Sequence, residues 1–205
     1  PIYDPVLKKM ITKPSHAKAR TYGYSLANSV IEAFHAGDFE QSPEPSITIY
    51  SQEIELGLEN FMLTLGTLLG VIDTDPKFSL MPPFVRYLSE AAFIKIGDAS
   101  ITGVPGELYP EIAVGGIENP EGADFEMAPL EVPYLRSQYL GKLNLMVNLA
   151  NDSIGYIIPK SEWDNDAPWI YGETEETYGE VVSLGPNTAP KIHENIIKLI
   201  EESKK

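Results

Sequence analysis

The chain has 205 residues, of which 43% are hydrophobic and 22% charged, a composition that can bury one sizeable core and is too ordinary for a disordered segment. Thirty acidic residues against fifteen basic ones give a formal charge of −15, which repels phosphate backbones and anionic headgroups over a Debye length; with no basic run to reverse it locally, nucleic acid is excluded as a partner. Cysteine is absent, so disulfides and thiolate metal sites are excluded and any metal must be held by His, Asp, Glu or Tyr.

The longest apolar run, Phe61 to Ile72, is interrupted by Gly66 and Gly70 and is too short to span a bilayer. The start, Pro1-Ile-Tyr-Asp-Pro5 followed by Lys8 and Lys9, lacks the pattern of a signal peptide and suggests a truncated or processed product. The compartment stays open.

The first predicted element is a helix from about Pro14 to Ala36. Tyr22, Leu26, Val30, Ala33 and Phe34 recur at spacings of three and four, which predicts a core-packing face, and Gly37 supplies the stop. A polar, proline-containing linker, Asp38 to Pro45, leads to a short strand over Ser46 to Tyr50. Leu58 to Leu69 reads as a buried helix. The stretch from Ala91 to Val104 reads as two strands about a Gly97-Asp98 turn. Its second strand runs into Pro105-Gly106, a turn that presents Glu107 at the strand's end, and Pro110 suits the start of a short helix.

Glu118 to Pro133 reads as a long surface loop. A buried strand, Leu143 to Leu149, precedes Asn151-Asp-Ser-Ile-Gly-Tyr156. A second acidic loop, Asp164 to Thr177, lies beside the aromatics Trp163, Trp169 and Tyr171. The last element is a helix capped by Asn187 and Thr188, with an apolar stripe of Ile192, Ile196, Ile197, Leu199 and Ile200, and Lys204 and Lys205 at its negative pole. Interleaved strands and helices with at least one hairpin predict a mixed α/β fold, a layered α/β sandwich with a mixed sheet, over a single domain or subdomain spanning residues 1–205.

Position alone leaves Glu107 open as a metal ligand, a general base or a turn residue, and leaves Tyr156 open as a core tyrosine. However, Gly103-Val-Pro-Gly-Glu107, Asn151-Asp-Ser-Ile-Gly-Tyr156 and Tyr178-Gly-Glu-Val-Val-Ser-Leu-Gly-Pro186, in that order and spacing, resemble the C-terminal half of the catalytic domain of the neutral/alkaline ceramidases, a family of zinc-dependent amide hydrolases. The resemblance covers nearly the whole chain, from the long first helix to the last one. It implies that Glu107 and Tyr156 are zinc ligands and that Tyr178 stands beside the scissile amide and helps stabilise the oxyanion.

It also implies that the family's two zinc-binding histidines and reactive serine belong to an N-terminal half, the partner of this piece, without which the chain is inactive. His16, His35 and His193 fall outside any matching motif and read as surface or capping residues. The substrate implied is a small-molecule or lipid amide, N-acyl or ceramide-like. After Pro-Gly-Glu this chain has Leu108-Tyr109-Pro110-Glu111 in place of the family's threonine-rich stretch, and it ends after the last helix without the immunoglobulin-like domain, which places it with shorter ceramidase-like relatives. The alternative reading is a non-catalytic α/β module that binds a ligand or partner through the aromatic, acidic loop around Trp163, Trp169 and Tyr171.

Overall fold

Ser15 lies in extended backbone with its Oγ accepting from the Lys18 N–H at 3.2 Å, so it caps the first helix, α1 (His16–Ala36), which Gly37 ends at φ +73. Ahead of it, β1 (Ile2–Asp4) and β2 (Lys9–Ile11) form an antiparallel hairpin. The Asp4 carboxylate accepts from Val6 N, Leu7 N and Thr21 Oγ1, and these bonds, led by the one from Leu7, hold it below the ordinary aspartate range. These elements belong to the first of two compact units, Pro1–Glu44 and Pro45–Lys205, in a computed structural model that describes residues 1–37, 44–72, 75–175 and 177–205. The predicted linker therefore lies largely outside the described residues. The helix follows the sequence, but its apolar face does not pack a core: Tyr22, Leu26, Val30 and Phe34 are exposed and only Thr21 is buried. A hairpin of two three-residue strands has too little surface to cover such a stripe.

The second unit is organised by a mixed sheet. β3 (Ile47–Gly57) runs antiparallel to β5 (Val85–Ile96), with Ile47 opposite Ile96 and Gly57 opposite Arg86. Between them in sequence come α2 (Phe61–Leu68) and β4 (Lys77–Phe78), which pairs with the first residues of β5. The Gly97-Asp98 turn delivers β6 (Ala99–Gly103) antiparallel to β5, as the sequence predicts. The sheet is then extended in parallel: β7 (Glu107–Leu108) and α3 (Pro110–Val114) intervene, and the chain returns after the 118–133 loop as β8 (Leu143–Val147) beside β6. The order is β3-β5-β6-β8. The fold is mixed α/β.

Strand alternation gives the sheet two unlike faces. Ile54 and Leu56 of β3 and Val85, Ala91 and Phe93 of β5 are buried in the core. They are joined there by the C-terminal helix, α5 (Thr188–Glu202), through Ile192, Ile196, Leu199 and Ile200, the predicted stripe. The opposite face carries in-register rows, Ile47-Ile96-Ala99-Leu143 and Ile49-Ile94-Ile101-Leu145. Leu143, Leu145 and Val147 are exposed on it, so the strand expected to be buried leaves this side uncovered.

Other expectations also change. The helix expected to be buried over Leu58 to Leu69 is the shorter α2, and its Phe61, Met62, Leu65 and Leu68 are exposed, because Asn60 turns the helix away once Leu58 has entered the core. Asn187 precedes α5 without capping it: its side chain donates to Glu59 and accepts from Lys160 Nζ. His193 is neither surface nor capping; it is buried on α5 with Nε2–H donating to the Pro133 carbonyl at 2.8 Å.

Candidate active site

The carboxyl ends of β6 and β8 lead into two turns that are stitched together by backbone bonds. Val104 donates to Val147 and Ala150 donates back to Val104, each at 2.9 Å, and Leu149 N and Ile154 N donate to Gly106 O and Pro105 O. The turns end in β7 and β9 (Tyr156–Ile157), a parallel pair with Glu107 opposite Tyr156 and Leu108 opposite Ile157. Parallel register places the two side chains as neighbours on one face of this small ladder. Residues from motifs about fifty positions apart thereby meet.

Two glycines make the meeting possible. A Cβ on Gly106 would stand 2.4 Å from the Gly155 carbonyl oxygen, and one on Gly155, at φ +85, would stand 1.8 Å from the Val182 carbonyl oxygen. Glycine at both positions lets three chain segments approach within hydrogen-bonding range. Glu107 N donates to Gly155 O at 2.9 Å, Tyr156 N to Val182 O at 3.4 Å, and Ser183 Oγ to Tyr156 O at 2.7 Å. Tyr156 is thus fixed between the Pro-Gly-Glu turn and the segment that follows α4 (Tyr178–Val181).

The Glu107 carboxylate beside the Tyr156 hydroxyl, as an acceptor for the neutral phenol and through its charge, together with partial desolvation, raises the phenol above its ordinary value of 10. Tyr178, on the first turn of α4, places its ring 6.0 Å from that of Tyr156 at 77°, and Tyr109 places its ring 6.1 Å from the other at 82°, both edge-to-face. The Tyr178 side chain is mostly exposed. Tyr109 is half-buried, and burial first, then the negative charge of Glu180, pushes its hydroxyl up to about 12. Its oxygen lies 2.5 Å from where a Cβ on Gly179 would be, so the glycine after Tyr178 makes room for it. The three residues singled out by the sequence, Glu107, Tyr156 and Tyr178, therefore form one cluster, and Tyr109 joins it.

Tyr109 is not marked as functional by the sequence, where it stands as a departure from the ceramidase pattern. Its spacing was the available signal, since a residue two beyond Glu107 returns to the same side of an extended chain. Glu180 is likewise unmarked by the sequence: it is 3% exposed, and burial pushes it up to about 7. Nothing in a Tyr-Gly-Glu triplet announces a buried acid.

Zinc chemistry needs three protein ligands plus an open position. Glu107 and Tyr156 offer two adjacent oxygens of suitable type. Among the described residues no three His, Cys, Asp or Glu side chains are grouped closely enough to hold a metal ion. His16 and His35 lie at the two ends of α1 and His193 is engaged with Pro133. The chain's own donors thus fit part of a zinc site and leave it short of a full ligand set. A cleft of about 550 Å³ adjoins the 152–155 turn, with Tyr87, Asp152, Ile154, Gly155, Val182 and Leu184 in its walls. Glu107, Tyr156 and Tyr178 do not line it.

Trp163 is buried, Trp169 is partly buried, and Tyr171 alone of the three projects, with its hydroxyl donating to Glu118. No helix among the described residues is long and apolar enough to cross a membrane. No protein-family model, curated protein or solved structure matches the chain.

Proposed function

We propose that this chain contributes the carboxylate and phenol side of a zinc-dependent amide hydrolase of the ceramidase type, acting on an N-acyl amide or ceramide-like substrate. The observation that carries this reading is the parallel pairing of Glu107 with Tyr156, which brings two oxygen donors together beside Tyr178. Zinc, when bound, polarises an amide carbonyl and lowers the pKa of a bound nucleophile. Glu107 and Tyr156 would hold it, with the two histidines and the reactive serine supplied by the N-terminal half of the same protein.

The residues of this chain have defined tasks in that scheme. The Glu107 carboxylate favours the neutral Tyr156 phenol; a dication, if held by the two oxygens, would favour the phenolate instead. Tyr109 braces Tyr156 through an edge-to-face ring contact. The Tyr178 hydroxyl donates to the oxyanion that develops on the amide oxygen, an interaction that strengthens in the transition state. The N-acyl substrate lies against the exposed Tyr178 ring.

Calorimetric zinc titration of the complete protein, histidine-bearing half included, tests the assignment. Glu107→Ala should weaken zinc at least tenfold, as loss of one of the four proposed ligands requires. Tyr178→Phe should leave zinc affinity unchanged and lower kcat for an N-acyl amide by about 10²-fold, the scale of one oxyanion donor. Zinc affinity that is the same in Glu107→Ala and wild type refutes the reading and favours a metal-independent binding module.

A further inference from the structure

Tyr178 sits on a turn whose only deeply buried side chain with a titratable group is Glu180, and what that carboxyl holds is a loop. Glu180 Oε1 accepts from Asp164 N at 3.3 Å and its Oε2 accepts from the Thr177 hydroxyl. Asp164, itself 1% exposed, folds the following residues back on themselves, with Oδ2 accepting from Ile170 N at 3.1 Å. Asp124, from the 118–133 loop, accepts from Asn165 N and Asp166 N at 2.9 and 3.3 Å. Three carboxyl groups from three chain segments therefore pin one arch, Trp163 to Gly172.

We propose that Glu180 is a proton-operated clasp: neutral, it holds the Trp163–Gly172 arch against the Tyr178 turn, and ionised, it lets the arch go.

The geometry loads the clasp toward the neutral acid. Asp164 and Asp124 face Glu180 from the arch and from the 118–133 loop, Glu59 faces it across a cleft of about 360 Å³ shared with Asn60, Trp163 and Asn165, and the phenol of Tyr109 lies on the strand side. Among the described residues the three carboxyl groups accept only from backbone N–H groups and a threonine hydroxyl, with no lysine or arginine bonded to them. Asp164 Oδ1 is buried with no hydrogen-bond partner among the described residues, so a charge in this cluster is left without full compensation. A protonated Glu180 keeps both of its contacts, its carbonyl oxygen accepting from Asp164 N–H and its acid proton shared with Thr177. An ionised one adds a buried negative charge beside Asp164, which opening the arch to water relieves. Burial is the main cause that sets Glu180 near 7, and the charges of Asp164 and Asp124 add to it, so the release falls in the physiological range.

The chain carries its own reporters, since its two tryptophans, Trp163 and Trp169, are both in the arch. Tryptophan emission and acrylamide quenching of the full chain, followed from pH 5 to pH 9, should show a red shift and at least a twofold rise in quenching with a midpoint near 7. Glu180→Gln, isosteric and always neutral, should keep the low-pH spectrum throughout. Asp164→Asn should move the midpoint to lower pH, because it removes the nearest like charge, and this variant carries the test if Glu180→Gln does not fold. A wild-type spectrum flat over this range, a transition that survives Glu180→Gln, or a midpoint unmoved in Asp164→Asn overturns the proposal. The outcome is independent of zinc and of amide hydrolysis.

Discussion

Alanine at Gly155 should separate the candidate site from the rest of the fold. Gly155 is at φ +85, and holding an L-residue in the left-handed region costs about 1–2 kcal/mol. The new Cβ would also lie 1.8 Å from the Val182 carbonyl oxygen, so the 182–183 segment must withdraw. Withdrawal breaks the Tyr156 N to Val182 O bond and the Ser183 Oγ to Tyr156 O bond, at about 0.5–1.5 kcal/mol each. The expected loss is about 2–5 kcal/mol, the sum of these contributions. Gly172 is the internal control: φ is +76, yet nothing lies within 4 Å of its virtual Cβ, so Gly172→Ala should cost only the backbone share, about 1–2 kcal/mol. Urea unfolding monitored by circular dichroism at 222 nm measures both. If the two variants lose the same stability within about 0.5 kcal/mol, the close approach of the three segments is not what Gly155 provides.

Three further outcomes follow from the packing and the titrating groups. Ile196→Ala, at a fully buried position of α5, should cost about 2–5 kcal/mol in the same assay, whereas Leu26→Ala on the exposed face of α1 should stay within about 0.5 kcal/mol of wild type; equal losses would mean that the α1 stripe is covered. Glu107→Gln should lower the pKa of Tyr156 toward 10, since the carboxylate that favours the neutral phenol is gone, and ultraviolet difference titration should show one tyrosine ionising earlier than in wild type. Glu180 has a folded value near 7 against an ordinary 4.5, so the folded chain binds more protons between those values. Its contribution is fully present below about pH 4.5, is lost as pH rises to about 7 and is flat above, and the thermal midpoint of Glu180→Gln should lack that decline.

The sequence was legible where local chemistry decides conformation. Gly97-Asp98 marks a hairpin because its turn residues tolerate the backbone it needs, Pro110 starts α3, Gly37 ends α1, and the 3.6-residue period of Ile192, Ile196 and Ile200 identifies the buried face of α5. It misled where burial depends on what lies opposite. The stripes of α1 and α2 have the same period as that of α5, but periodicity states only which residues share a face, not whether another layer covers it. In the same way β8 reads as a buried strand although one side of it is uncovered, and Asn187 reads as a helix cap although its side chain is taken by Glu59 and Lys160.

By itself the sequence determined the residue types, the order of the motifs and the glycines that let the chain turn at each of them, because these are properties of single residues and of short steps along the backbone. That Glu107 and Tyr156 stand side by side was decided only in three dimensions, by the parallel return of β8 beside β6, which brings the carboxyl ends of two distant strands to the same end of the sheet. The burial of Glu180 against the Trp163–Gly172 arch is of the same kind, since desolvation and neighbouring charge depend on segments dozens of residues apart and leave no local trace in the chain.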